Sequence, residues 1–298
     1  MIDKLEFLIA LARERHFGRA AAACGVTQPT LSAGLRHLED DLGVRLVNRG
    51  ARYYGLTPEG ERVLDWARRI VGDARALREE VEALKYGLVG HLRIGAVPTA
   101  LGMVQHLTTP YRERHPDVTF DVRSGASTDL LALMENHEID AALTYLDNEP
   151  VWRVRGVPVY RERYCLLVAP DDPLAGRAGV TWAEVGRLPL CLPTPELQNR
   201  RILDRLLAEA GVEARPTLES NSMLVLFTHV RTGRWSTVMP VQLAQTLQLV
   251  EELAAIPIEP DASQLMGLVI PSRDPVAPLT AALAEVAREV AARFGEVV

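Results

Sequence analysis

The side chains best suited to read another molecule stand together near the start of the chain: Thr27, Gln28, Pro29, Thr30, Ser32 and Arg36. A glutamine can bridge the edge of adenine, an arginine serves guanine or a phosphate, and short hydroxyls reach what lies between. Such a set works only if one rigid element presents it. Leu31, Leu35, Leu38 and Leu42 recur at i, i+4, i+7 and i+11, one stripe of a helix whose opposite face carries Pro29, Ala33, Arg36 and Asp40. Thr27 is placed to cap this helix, Pro29 is tolerated in its first turn, and Gly43 ends it. Gln28, Thr30 and Ser32 surround the N-terminal end, by which a recognition helix enters a major groove. The same pattern also describes a solvated polar face on a small helical domain, and spacing alone leaves both readings open.

The elements that would position this helix precede it. Leu5, Leu8, Ile9 and Ala12 predict a first amphipathic helix; residues 19–24, rich in small side chains, predict a short second one; Gly25 and Val26 make the turn. Gly34 costs about 1 kcal/mol relative to alanine inside a helix, which a close approach of another element would explain. Net charge is −6, yet residues 1–56 hold eight Lys or Arg against six acids. A mildly basic head on an acidic body is compatible with nucleic acid at one end.

Other chemistries find little support. Cys24, Cys165 and Cys191 form no CxxC pair and no cluster with the seven scattered histidines, so neither zinc nor another cofactor is expected. A redox pair of Cys165 and Cys191 remains an alternative to buried, inert thiols. No nucleophile elbow, P-loop, dinucleotide fingerprint or HExxH occurs, which argues against an enzyme. No apolar run reaches the roughly 18 residues of a membrane span, and the N-terminus lacks a signal peptide's apolar stretch. The expected location is the cytoplasm, with no membrane partner.

Thr57-Pro58-Glu59 reads as a helix start. From it Val63, Ile70, Leu77 and Leu84 repeat every seven residues, with Ala67, Ala74 and Val81 four residues after the first three. Over residues 57–86 this seam runs roughly 45 Å at 1.5 Å per residue. Either it pairs with a second copy, Val63, Ile70, Leu77, Val81 and Leu84 in the contact, or one long helix lies on its own core. A symmetric dimer with two heads would read an inverted repeat in double-stranded DNA.

Beyond Gly90 the pattern alternates strand and helix, the signature of an α/β domain. Strands are expected at 91–97, 118–125, 139–145, 163–170, 188–193, 237–241 and 267–271. Helices are expected at 100–115, 127–136 (capped by Ser127), 199–210, 223–232 and 278–294. Ligands in such folds sit where strands end and helices begin. That singles out Thr99, Ser127 and Thr128, Thr194, Asn199, and Asn221 within Ser220–Ser222. Each is individually explicable as a plain helix cap. Several free N–H groups with hydroxyls favour a small anion, most simply a carboxylate. A DNA-binding protein with no ligand is a further alternative.

The order of residues in FGRAAAACGVTQPTLSAGLRHLEDDLGVRLVNR (17–49), a short wing over Gly50–Gly55, and LTPEG resembles the LysR-type transcriptional regulators. The chain also has their length and their head–linker–sensor order. The resemblance implies a winged helix-turn-helix over 1–56, a dimerising linker helix over 57–88 and an effector-binding domain over 91–298. That domain would be two-lobed and periplasmic-binding-protein-like, with lobe I about 91–161 and 267–298 and lobe II about 162–266. It places Thr27, Gln28, Pro29, Thr30, Ser32 and Arg36 in or beside the major groove, and gives Arg49, Arg52 and Tyr53 to the wing. It puts Thr99 and Thr128 in the effector cleft. It implies a homodimer or homotetramer on promoter DNA, and RNA polymerase as a partner of an activator. Two departures stand out: Ala33 where most members carry arginine, and Trp235 where many carry a small residue.

Overall fold

The N-terminal helices are amphipathic, and their apolar faces meet in one core. The computed structural model describes residues 1–49, 53–147, 154–248 and 252–294. The chain divides into two compact units. One is Met1–Leu88 with two short segments, 135–138 and 275–278; the other holds the remainder. In the first, α1 (Ile2–Glu14), α2 (Phe17–Ala23) and α3 (Gln28–Leu42) precede a hairpin of β1 (Val47–Arg49) and β2 (Tyr53–Leu56). A long helix, α4 (Pro58–Tyr86), follows. Leu8, Leu11, Leu31, Leu35, Leu38 and Leu46 are fully buried together, each worth about 1.5–3 kcal/mol. Leu42, expected at the end of that stripe, is exposed, because the helix runs past the core before Gly43 stops it at φ 68°.

The first turns of α4 belong to this core. Leu64, Ala67 and Val71 are buried in it and Val63 packs at its edge. Val63 and Ala67 therefore serve the head, a correction to the expected seam. A helix leaving a domain spends its first turns covering that domain, and only the length beyond is free.

The second unit is a mixed sheet with helices about it. Its first part contains β3 (Gly90–Ala96), a 3₁₀ helix (Pro98–Met103), α5 (Gln105–Arg114), β4 (Val118–Ser124), α6 (Ser127–Glu135) and β5 (Ala141–Tyr145). There follow β6 (Val154–Val168), β7 (Val180–Thr181), α7 (Trp182–Val185), β8 (Cys191–Pro193), α8 (Gln198–Glu209), β9 (Leu218–Ser220) and α9 (Met223–Val230). The last elements are β10 (Thr237–Pro240), α10 (Val241–Thr246), β11 (Ala254–Glu259), β12 (Ser263–Pro271) and α11 (Pro278–Phe294). Strand order is β4-β3-β5-β12-β6-β11-β7, with β10 also on β6 and β8-β9 apart.

The 15-residue β6 carries both lobes. Its first part, to Arg163, pairs with β12 alongside β5; its last part, Tyr164–Val168, pairs with β10 and β11. The chain returns from β11 through β12, and α11 lies on the first lobe, where the Tyr111 hydroxyl donates to the Leu279 carbonyl at 3.1 Å. Residues 162–163 and 263–266, assigned by sequence to the second lobe, belong to the ladder of the first. Other differences are local. The helix expected from Ala100 begins as 3₁₀ and becomes α only at Gln105. Ser127 is the first residue of α6 rather than its cap, its side chain turned inward. Among the described residues no helix is long and apolar enough to cross a membrane.

Candidate functional site

In the head, α2 and α3 are held at a turn where Gly25 takes φ 67°. Thr27 caps α3: its Oγ1 accepts the Thr30 N–H at 3.4 Å and lies 2.9 Å from the Thr30 hydroxyl. Gln28, Pro29, Thr30 and Arg36 are exposed and Ser32 is half-buried, so they form one accessible surface at the start and outer side of α3. Gly34 lies on the other side. A Cβ there would stand 2.7 Å from the Phe7 ring, which accounts for the glycine by close packing on α1. The Glu39 carboxylate accepts the N–H groups of Leu46 (2.9 Å) and Val47 (3.2 Å), fixing the hairpin to the far end of α3. Arg49 is the last residue of β1; Arg52 lies outside the described residues.

Along α4, a second apolar face remains open. Trp66 (62% exposed), Ile70, Leu77 (65%), Val81 and Leu84 (79%) are turned outward. A helix ordinarily hides such side chains, so this face is a surface without a partner within the chain's own head core.

Between the two lobes of the second unit lies a cavity of about 10 Å³, lined by Val97, Pro98, Thr99, Ala126 and Tyr145 from one lobe and Leu197, Gln198, Asn199 and Met223 from the other. It holds one water-sized group in this conformation. Of the six effector residues chosen from the sequence, Thr99 and Asn199 line it. Ser127 is buried beside it, accepting the Thr144 hydroxyl at 3.1 Å. Thr128, one helical step further round, is exposed, as is Asn221. Thr194 donates to Glu196 at 2.6 Å. Asn199 is 4% exposed, and neither its Nδ2 nor its Oδ1 has a partner. Around it begins α8, whose leading N–H groups have no intrahelical acceptor and whose N-cap, Leu197, offers none.

Behind Thr99 lies a cluster that sequence reasoning missed. The Tyr145 hydroxyl stands 3.1 Å from Thr99 Oγ1 and donates to Glu162 Oε1 at 2.7 Å; Tyr164 donates to the same oxygen at 3.2 Å. Glu162 is fully buried, and burial raises its carboxyl from 4.5 to about 7 against the pull of these hydroxyls. Burial and the nearby Glu162 hold Tyr145, Tyr160 and Tyr164 well above the ordinary tyrosine range. The signal was present: Tyr160, Glu162 and Tyr164 alternate in a strand, so all three share one face.

The thiols are of the inert kind. Cys165 and Cys191 are buried, with burial pushing them to about 12 and about 11. Burial and Glu6 also raise Cys24. Among the described residues no cluster of His, Cys, Asp and Glu could hold a metal.

A helix-turn-helix head, a long helix with an open apolar face and a two-lobed domain around a small cavity make the architecture of a DNA-binding regulator. Comparison with known proteins agrees. Residues 2–61 match the bacterial regulatory helix-turn-helix proteins of the lysR family, and 86–292 match the LysR substrate binding domain. The DNA-binding transcriptional dual regulator OxyR of Escherichia coli is 29% identical over 299 residues, covering 98% of this chain and 95% of that one. A probable hydrogen peroxide-inducible genes activator of Mycobacterium xenopi is 37% identical over 177 residues, 59% of this chain and 93% of that one. The structure of a full-length OxyR variant from Pseudomonas aeruginosa superposes with a TM-score of 0.77 at 25% identity, covering 97% of this chain and 94% of that one. The chain belongs to the LysR family of DNA-binding transcriptional regulators, and it is a regulator rather than an enzyme.

Proposed function

We propose that this regulator pairs through the outward face of α4 and presents two heads to an inverted repeat in promoter DNA. Gln28, Thr30, Ser32 and Arg36 meet the major groove, and Arg49 and Arg52 meet the flanking backbone. Two such dimers form a tetramer, RNA polymerase is the further partner where the regulator activates, and the work is done in the cytoplasm. The effector is a small carboxylate held between the lobes by Thr99, Asn199 and the first N–H groups of α8. The observation that carries this reading is the Asn199 amide, enclosed at the cavity with both polar atoms unpartnered. Leaving such a group unsatisfied costs about 1–3 kcal/mol, a cost that a ligand removes. The cavity is too small for a carboxylate as it stands, so the lobes part to admit one and close upon it.

The names of the relatives invite hydrogen peroxide as the signal instead. A thiol senses peroxide as its thiolate, and at neutral pH the three raised thiols here hold very little of that form. The cavity between the lobes, with its unpartnered Asn199 amide, is therefore the better-supported sensor. Two measurements test the whole. Fluorescence anisotropy on the DNA upstream of its own gene is expected to show tight, salt-sensitive binding that Gln28→Ala and Arg36→Ala weaken. Thermal melting against a panel of small carboxylates is expected to show stabilisation that Asn199→Leu abolishes. Unchanged DNA binding by both head variants overturns the recognition helix, and a panel without a single stabilising carboxylate overturns the effector class.

A further inference from the structure

The hydrogen bonds behind the cavity have a direction, and that direction depends on one proton. With Glu162 ionised, Tyr145 gives its only proton to Glu162 Oε1 at 2.7 Å. The Tyr145 oxygen can then only accept from Thr99, 3.1 Å away. Thr99 has one hydroxyl proton; spent inward, it leaves lone pairs facing the cavity that Thr99 lines. An anion there meets an acceptor in front and a negative charge behind. With a proton on Glu162 Oε1 the chain reverses: the carboxyl donates to Tyr145, Tyr145 donates to Thr99, and Thr99 turns its own proton into the cavity. Only hydroxyl rotations are needed.

We propose that the Glu162–Tyr145–Thr99 chain sets the hydrogen-bond polarity of the inter-lobe cavity, so that a carboxylate binds there with uptake of one proton from solvent by Glu162. This rests on reading that cavity as an anion site. The surroundings leave the role to Glu162. On its own strand stand Tyr160 and Tyr164, with Arg161 and Arg163 on the opposite face by alternation. From β5 comes Tyr145, from the 3₁₀ helix Thr99, and on β12 its register partner is the neutral Gln264. No ionised side chain contributes to its titration, which burial and hydroxyl contacts alone set. Its Oε2 and the Tyr160 hydroxyl are buried without partners, so the charged form is favoured only by the Tyr145, Tyr164 and Thr99 hydroxyls, and burial outweighs them.

The test is calorimetric titration of the full-length protein with acetate, from pH 6 to 8.5, in pairs of non-carboxylate buffers with different ionisation heats. The expected result is uptake of about one proton per acetate at pH 8.5 and little at pH 6, with apparent Kd rising about tenfold per pH unit above neutrality. Glu162→Gln keeps a neutral side chain and is expected to bind acetate with no proton uptake and a flat pH profile. Tyr145→Phe cuts the chain and is expected to flatten the profile as well, which serves if the glutamine variant folds poorly. Acetate binding without proton uptake, or an equally steep profile in a folded variant, overturns the coupling and leaves the anion site standing. Absence of acetate binding at every pH overturns both.

Discussion

Replacing Glu162 by glutamine is expected to change how the protein's stability depends on pH, even with no ligand and no DNA. In the folded chain this carboxyl holds its proton to about pH 7, while an unfolded glutamate releases it near 4.5. Between those values the folded state binds more protons than the unfolded one, so stability falls as pH rises. The contribution is fully present below about pH 4.5 and is lost by the time pH has passed through about 7. At about 1.4 kcal/mol per pH unit of displacement, the loss is about 3 kcal/mol. Glutamine keeps the shape without the titration. Urea unfolding of wild type and Glu162→Gln at pH 5, 6, 7 and 8 is therefore expected to show the variant gaining about 2.5 kcal/mol on the wild type across that range, part of the loss having occurred below pH 5. The regulatory domain's transition is the one to follow. Parallel curves for the two proteins would refute the reasoning, since they would mean that Glu162 titrates alike folded and unfolded.

Other substitutions test other parts of the structure. Leu77→Glu with Leu84→Glu places charges on the open face of α4 and is expected to convert dimers to monomers by sedimentation, with DNA affinity at least about tenfold weaker as the two heads uncouple. Gly60→Ala would drive a Cβ into the Leu46 carbonyl oxygen, and a loss of about 1–3 kcal/mol of head stability is expected in thermal unfolding. Thr57→Ala removes a hydroxyl that accepts the Gly60 N–H at 2.9 Å and is expected to cost about 1 kcal/mol in the same assay. Asn199→Leu removes two unpartnered polar atoms, so it is expected to raise the melting temperature while abolishing the carboxylate response.

The head was legible because its elements are local. A leucine stripe, a threonine cap and a terminal glycine define α3 within a single short window, and α3 indeed runs Gln28–Leu42. The linker was legible as a helix but not in its sharing of faces. Heptad spacing admits Val63 and Ala67 to the seam, whereas the head's core claims them, and only three-dimensional packing decides that. In the sensor, strands with continuous apolar runs stood out, while β7, β9 and β11 did not, being short or broken by Pro257 and charged positions. The effector residues were chosen by one rule, that polar residues at helix starts face ligands. Thr99 and Asn199 do line the cavity, but Thr128 is turned outward because successive helical residues differ by about 100°. Glu162 escaped because the expected strand began only at 163, and an acid between Arg161 and Arg163 ordinarily marks a solvated stretch.

The continuity of β6 has a mechanical consequence. The strand passes unbroken from a ladder with β12 into a ladder with β10 and β11, so the lobes are joined by a stiff ribbon rather than by a slack tether. Opening must bend that ribbon near Arg163–Tyr164 and at the neighbouring return from β11 to β12, as a leaf spring bends at its clamp. On the proposal that an effector binds between the lobes, contacts made in the cavity would be passed through this joint as a rotation of whole lobes.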